Sequence, residues 1–175
     1  MNELSIPYGI IEPAMSARAR VRISHKRPYD FDEKRKLYLF KPVDEDEVVE
    51  NLVTNPGRVY IHTQAYWTSP GANGLNYIAI TDDSGAPAQT DTVLTSELSG
   101  NGLTRAQGTV TLPTGSGTQT TIAKTFTYGG TTQAVQKSAL FSAASSGTMA
   151  HEVQWTERTL FNLDTLTVTY TITLT

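Results

Sequence analysis

The last stretch of the chain limits its fold more than any other. Asp164 to Thr175 reads Asp-Thr-Leu-Thr-Val-Thr-Tyr-Thr-Ile-Thr-Leu-Thr, with Leu166, Val168, Tyr170, Ile172 and Leu174 on one parity and threonines on the other. A period of two is what a pleated strand imposes, whereas a helix would scatter these apolar side chains and crowd their branched Cβ atoms. The stretch is therefore expected to be a strand with one apolar and one hydroxylated face. Such a strand belongs in an antiparallel sheet that buries one side, and the natural cover is a second sheet.

At 175 residues the chain suits one core of ordinary size plus an extension. The absence of cysteine excludes a disulfide framework, a thiolate metal site and a cysteine nucleophile. Met1 to Tyr8 lacks the basic flank and apolar run of a signal peptide, and no apolar run approaches the roughly 20 residues that span a bilayer. The expectation is a soluble protein made in the cytoplasm. A formal net charge of -3 gives no field that argues for nucleic acid or acidic lipid. That average conceals a segregation, because most Lys and Arg residues precede Val43 and an acidic block follows at once.

Met1 to Met15 mixes Pro7, Gly9 and Pro13 with Ile6, Tyr8, Ile10 and Ile11, a pattern of neither helix nor interior strand. It reads as an arm for another surface, or alternatively as a frayed terminus. Ala17 to Ser24 alternates Arg18, Arg20 and Arg22 against Ala17, Ala19, Val21 and Ile23, a short strand with a cationic side. The arginines fit two roles equally: bidentate contact with carboxylate or phosphate, or a solvated edge that discourages pairing. His25 to Lys36 reads as loop, and Leu37 to Val43 as a second strand paired with the first.

Asp44 and Glu47 have the spacing of a capping box ahead of Val48, Val49, Leu52 and Val53, which predicts a helix over 44–53. Helix electrostatics then account for the acidic block without calcium. Residues 57–67 read as helix in preference to strand, and Leu75 to Thr81 as strand. Asp82 to Thr92 is turn chemistry, and Thr92 to Leu98 suits a helical turn or two. Strands follow over 106–112, 120–128, 134–141 and 149–156 at hairpin spacing, the signature of a sandwich or barrel. Trp155 is expected on a core face in preference to a subunit contact. His62 has no partner at ligand spacing, Ala143 to Gly147 is no nucleophile elbow, and no glycine loop is followed by Lys-Ser or Lys-Thr. No catalytic residue, cofactor or metal is expected.

Within residues 51–175, four stretches resemble structural proteins of tailed-bacteriophage particles: 52–58 (Leu-Val-Thr-Asn-Pro-Gly-Arg), 77–83 with 86–98, 137–149 (Lys-Ser-Ala-Leu-Phe-Ser-Ala-Ala-Ser-Ser-Gly-Thr-Met) and 164–170. The resemblance implies a β-sandwich virion module, used as a head decoration protein or in the tail, collar or fibre.

Together these readings give a mainly β chain: an antiparallel β-sandwich, jelly-roll or Ig-like, over residues 44–175, with one or two short helices and an extended arm over residues 1–43. The expected function is non-enzymatic, a head decoration or cement protein. Expected partners are the major capsid protein or other virion proteins and further copies of the chain, with no nucleic acid and no membrane. Ile6, Tyr8, Ile10, Ile11, Arg18, Arg20 and Arg22 are the expected contact residues, and deleting Met1 to Arg22 is expected to leave the sandwich folded. The alternatives are a tail, collar or fibre adaptor, and a carbohydrate-binding module that stacks sugars on Tyr60, Tyr66, Trp67 or Trp155. A hydrolase is the most distant reading.

Overall fold

The structure, a computed structural model, describes residues 17–66, 74–112 and 119–174. The expectations on Ile6, Tyr8, Ile10, Ile11 and Trp67, and on the side chains of Arg18, His62 and Tyr66, lie outside the described residues. In chain order the elements are β1 (Ala17–Asp32), β2 (Leu37–Pro42), β3 (Glu47–Glu50), β4 (Leu52–Val53) and α1 (Asn55–Tyr66). There follow β5 (Tyr77–Thr81), β6 (Ala106–Gln107), β7 (Thr109–Thr111), β8 (Gln119–Thr127), β9 (Thr132–Phe141), β10 (Met149–Phe161) and β11 (Thr165–Leu174). Among the described residues no helix is long and apolar enough to cross a membrane.

The strands form two antiparallel sheets. One runs β2-β1-β11-β8-β7, with β3 also paired to β1, and the other runs β4-β10-β9-β5-β6. The terminal strand does what its alternation demands: Leu166, Val168 and Tyr170 are buried while the intervening threonines are half-exposed. Ala19, Val21 and Ile23 of β1 lie beside them in register, and Ile122 and Phe126 of β8 flank the other side. Ile78, Ile80, Val135, Leu140, Val153 and Trp155 of the second sheet close the core from the opposite face. The buried Tyr170 hydroxyl pairs with Ser138 Oγ at 2.7 Å, joining the two sheets through the core. A phenol is buried without penalty only where its hydroxyl finds such a partner.

Four expectations change, the first being that residues 25–32, expected as loop, continue β1 as strand and pair with β2 from Lys26 onward. Residues 44–53 form β3 and β4 rather than a helix, because the acids serve tertiary partners. Glu50 meets Arg20, Asp46 meets Arg22, and Glu47 meets Arg158 and the amide of Thr156. Val48 then points outward and Val49 packs toward the core. Residues 92–98 form no helix; Leu98 instead donates its amide to Ile80 O. Most consequential, residues 17–26 are an inner strand of the sandwich, paired on one side with β11 and on the other with β3. They do not belong to an arm, and removing Met1 to Arg22 would take Ala19 and Val21 out of the core and expose the edge of β11.

The helix reading holds at α1. Thr54 caps it, accepting from the Gly57 amide at 3.2 Å and donating to Met149 O at 2.6 Å. A Cβ at Gly57 would lie 2.3 Å from Ala150 O, so this first turn fits against β10 only without a side chain there.

The place of β1 in the core is tested by truncating single side chains. Ile23→Ala should cost about 3 kcal/mol in urea unfolding, whereas Val48→Ala on the exposed face of β3 should cost under about 0.5 kcal/mol.

Candidate functional site

Past Lys26, β1 leaves the sandwich. Its partner β11 begins at Thr165, opposite Lys26, and beyond that point β1 pairs with β2 alone among the described residues. The result is a two-stranded ribbon over residues 26–42 that stands out from the sheet. Asp32 Oδ1 shapes its tip by accepting from the amides of Lys34 and Arg35 at 2.9 and 3.0 Å, and Lys36 closes the turn at a φ of 54°. Pro28 is tolerated because this half of β1 has an open edge and a bulge between Pro28 and Asp30.

The ribbon is coated with aromatic rings. Tyr29, Phe31, Leu37, Tyr38 and Phe40 are 37 to 57% exposed, and Phe31 meets Tyr38 edge-on with centroids 5.1 Å apart. Six basic residues, Lys26, Arg27, Lys34, Arg35, Lys36 and Lys41, share it with Asp30, Asp32 and Glu33. Phe31, Tyr38 and Phe40 share one face of the ribbon in this register, and clustered exposed rings beside charge are the kind of surface that marks a contact site on a folded protein.

A buried ionic knot fixes where the ribbon departs. Asp164, fully buried at the β10–β11 turn, accepts two hydrogen bonds from Arg27 at 2.9 Å, one from His25 Nε2 at 2.9 Å and one from the Phe161 amide at 3.0 Å. Burial opposes ionisation of Asp164. The guanidinium of Arg27, the Phe161 amide and His25 outweigh it and hold the carboxyl below the usual range. The Arg27 guanidinium also lies 4.6 Å above the Phe161 ring. His25 and Asp164 have the arrangement of a base and its orienting acid. However, His25 Nδ1 faces a second carboxylate, Asp44, at 3.6 Å, and its side chain is 1% exposed. The pair is built to hold strands rather than to reach a substrate.

A second cluster lies on the outer face of the other sheet, under the loop that carries Asp83 and Asp91. Lys137 pairs with Asp83 and stands 3.5 Å from Glu152. Burial, then the neighbouring carboxyl of Asp91, push Glu152 up to about 7 despite Lys137. Next to it on β10, burial pushes His151 down to about 4, and the Asn51 amide donates to its Nδ1 at 2.6 Å. The side chains of Lys137 and Glu152 are 4% and 2% exposed, so the loop seals this pair from solvent. Arg105 straps the loop down through Glu97 and the carbonyl of Ser146. Beside α1, a shallow cleft of about 620 Å³ is lined by Asn55, Pro56, Val59, Tyr60 and three threonines.

The expected contact residues divide. Arg20 and Arg22 face outward, as the alternation requires, but Glu50 and Asp46 of the same chain answer them. Exposed pairs of this kind contribute only about 0 to 1 kcal/mol. Arg18 is in β1, opposite Thr173. Trp155 is in the core, as expected, and cannot serve as a sugar platform. The ribbon aromatics were missed, although Tyr29 and Phe31 alternate with Asp30 and Asp32, and Tyr38 and Phe40 with Leu37 and Leu39. The two runs mirror each other about Glu33 to Lys36. No protein-family model matches the sequence, and a search of curated proteins finds no match.

Two outcomes are expected from the buried groups. Asp164→Ala leaves His25 and Arg27 without their acceptor and should destabilise the protein by at least about 3 kcal/mol in chemical denaturation. Glu152 binds a proton more readily folded than unfolded, so its contribution falls as pH rises from about 4.5 through about 7. His151 acts oppositely, its contribution being lost as pH falls from about 6.5 toward about 4. The two slopes offset each other between about pH 4.5 and 6.5, and above that the His151 slope fades while Glu152 still titrates. The stability difference between wild type and Glu152→Gln should therefore shift against wild type by about 1 kcal/mol between roughly pH 6.5 and 8, as His151 is common to both.

Proposed function

We propose that this chain is a non-enzymatic structural protein of a tailed-bacteriophage particle, a head decoration or cement protein that works by surface contact. The observation that carries the contact reading is the ribbon over residues 26–42. It puts aromatic side chains outside the core and is joined to the body by a buried ionic knot. An isolated two-stranded ribbon is marginal in water and gains stability when a neighbour covers it. The likeness of residues 51–175 to virion modules supplies the particle, with the major capsid protein and further copies of the chain as neighbours. The buried placement of His25, Lys137 and Glu152 agrees with a protein whose ionic groups serve cohesion.

The same ribbon would serve a tail, collar or fibre adaptor, and one assay separates the locations. Purified protein is sedimented with phage heads that lack it, and in parallel with tails. Saturable binding to heads is expected, weakened roughly 10-fold or more in the Phe31→Ser, Phe40→Ser double variant, as truncation of anchoring side chains predicts. Binding to tails alone would move the protein to the adaptor reading, and binding to neither would overturn the particle reading.

A further inference from the structure

We propose that the ribbon is a socket for the N-terminal segment, residues 1–16, of a second copy of this chain, which makes the protein self-associate head to tail. The inference rests on the ribbon being a contact surface but not on the particle, and it names the occupant.

The first argument is charge. Arg35 pairs with Asp32, Lys36 with Glu33 and Arg27 with Asp164, which leaves Lys26, Lys34 and Lys41 against Asp30 among the described residues. Residues 1–16 carry Glu3 and Glu12 and no Lys or Arg. An acidic segment thus meets a basic ribbon. The second argument is chemistry. Ile6, Tyr8, Ile10 and Ile11 bring apolar side chains suited to Tyr29, Phe31, Tyr38 and Phe40. Between Pro7 and Pro13, residues 8–12 keep every backbone amide. The edge of β1 from Pro28 to Asp32, where β11 has ended, has no strand partner among the described residues. A short segment can add there as a third strand.

The third argument decides whose segment it is. The segment is rooted at Ala17, at the end of β1 opposite the ribbon. Phe31 lies fourteen residues along β1, about 45 Å away at about 3.3 Å per residue. Fully stretched, Ile6 reaches at most about 40 Å from Ala17, Tyr8 about 32 Å and Ile11 about 22 Å. Even doubled back along its own β1, Ile6, Tyr8, Ile10 and Ile11 stop short of Phe31 and Tyr38. It reaches the ribbon of a neighbour without that constraint. Because socket and plug sit at opposite ends of one strand, the joint is heterologous, and copies close into a ring or extend as a file.

The test uses full-length protein throughout. Tyr38→Asp disables the socket and leaves the plug, while Ile10→Asp with Ile11→Asp disables the plug and leaves the socket. In sedimentation or light scattering, wild type should show a mass above 19.1 kDa that rises with concentration. Each variant alone should run as a monomer, and an equimolar mixture should give a species of twice the monomer mass that dissociates as salt is raised. Phe31→Ser, read the same way, keeps the socket test open should Tyr38→Asp disturb the ribbon. A monomeric wild type would overturn the proposal. So would unchanged association of the plug variant, which means ribbon against ribbon, or a mixture that stays monomeric. None of these results depends on phage heads, so this inference and the particle reading fail separately.

Discussion

A carboxylate with no exposed surface is tolerated only where donors replace its hydration, and Asp164 obtains them from three residues in two strands. The consequences are geometric. Arg27 and His25 come from β1, the amide of Phe161 from the end of β10, and Asp164 itself leads into β11. The β10–β11 turn is therefore tied to β1 at the residue where β11 ceases to accompany it. Leu163, at a φ of 68°, makes this turn tight enough to aim the carboxylate back at β1. Remove the carboxylate and Arg27 and His25 lose the acceptor they share, just where the ribbon begins.

The rest of the electrostatics follows the same pattern of settlement within the chain. The acidic block from Asp44 to Glu50 lies along β1 and β10, where it answers Arg20, Arg22 and Arg158. The segregation of charge along the sequence is thus cancelled in space across neighbouring strands. The second cluster is of another kind. Lys137 and Glu152 sit on a sheet face that would be exposed in a simple sandwich, and the loop from Asp82 to Leu98 covers them. Covering this face buries Ala79, Ala139, Phe141 and Met149 against Leu94, and the elevated Glu152 is a cost of that apolar gain.

Much of the sandwich was legible because period-two patterning is local. The terminal strand, β8, β9 and the core position of Trp155 all follow from which side chains share a parity. The helix expected over 44–53 failed for an instructive reason. Asp44 and Glu47 have capping-box spacing, but a capping box is worth only about 1 kcal/mol, and here pairing with β1 and the demand of its arginines won. The alternation of β1 was read correctly while its membership in the core was not, since a small side chain such as Ala19 does not announce burial. The ribbon was hidden by Pro28 and by the density of charge around Asp32. The Lys137 cluster was out of reach in principle, because it depends on a loop crossing a sheet face, which no spacing along the chain encodes.

One strand therefore performs two tasks that ordinarily fall to separate elements. Up to Lys26, β1 is a core strand held by β11 and β3; past Lys26 it is the spine of an exposed ribbon. A ribbon attached through a flexible linker would lose on docking the entropy of fixing its orientation. This one is continuous with a buried strand and clamped at its root by Arg27 and His25, so its direction is set before any partner arrives. Ordering has been met by the fold, and what remains to be gained on contact is the burial of rings already held in place. That makes the exposed rings a preorganised surface, and it explains how a segment two strands wide can carry so much apolar area outside the core.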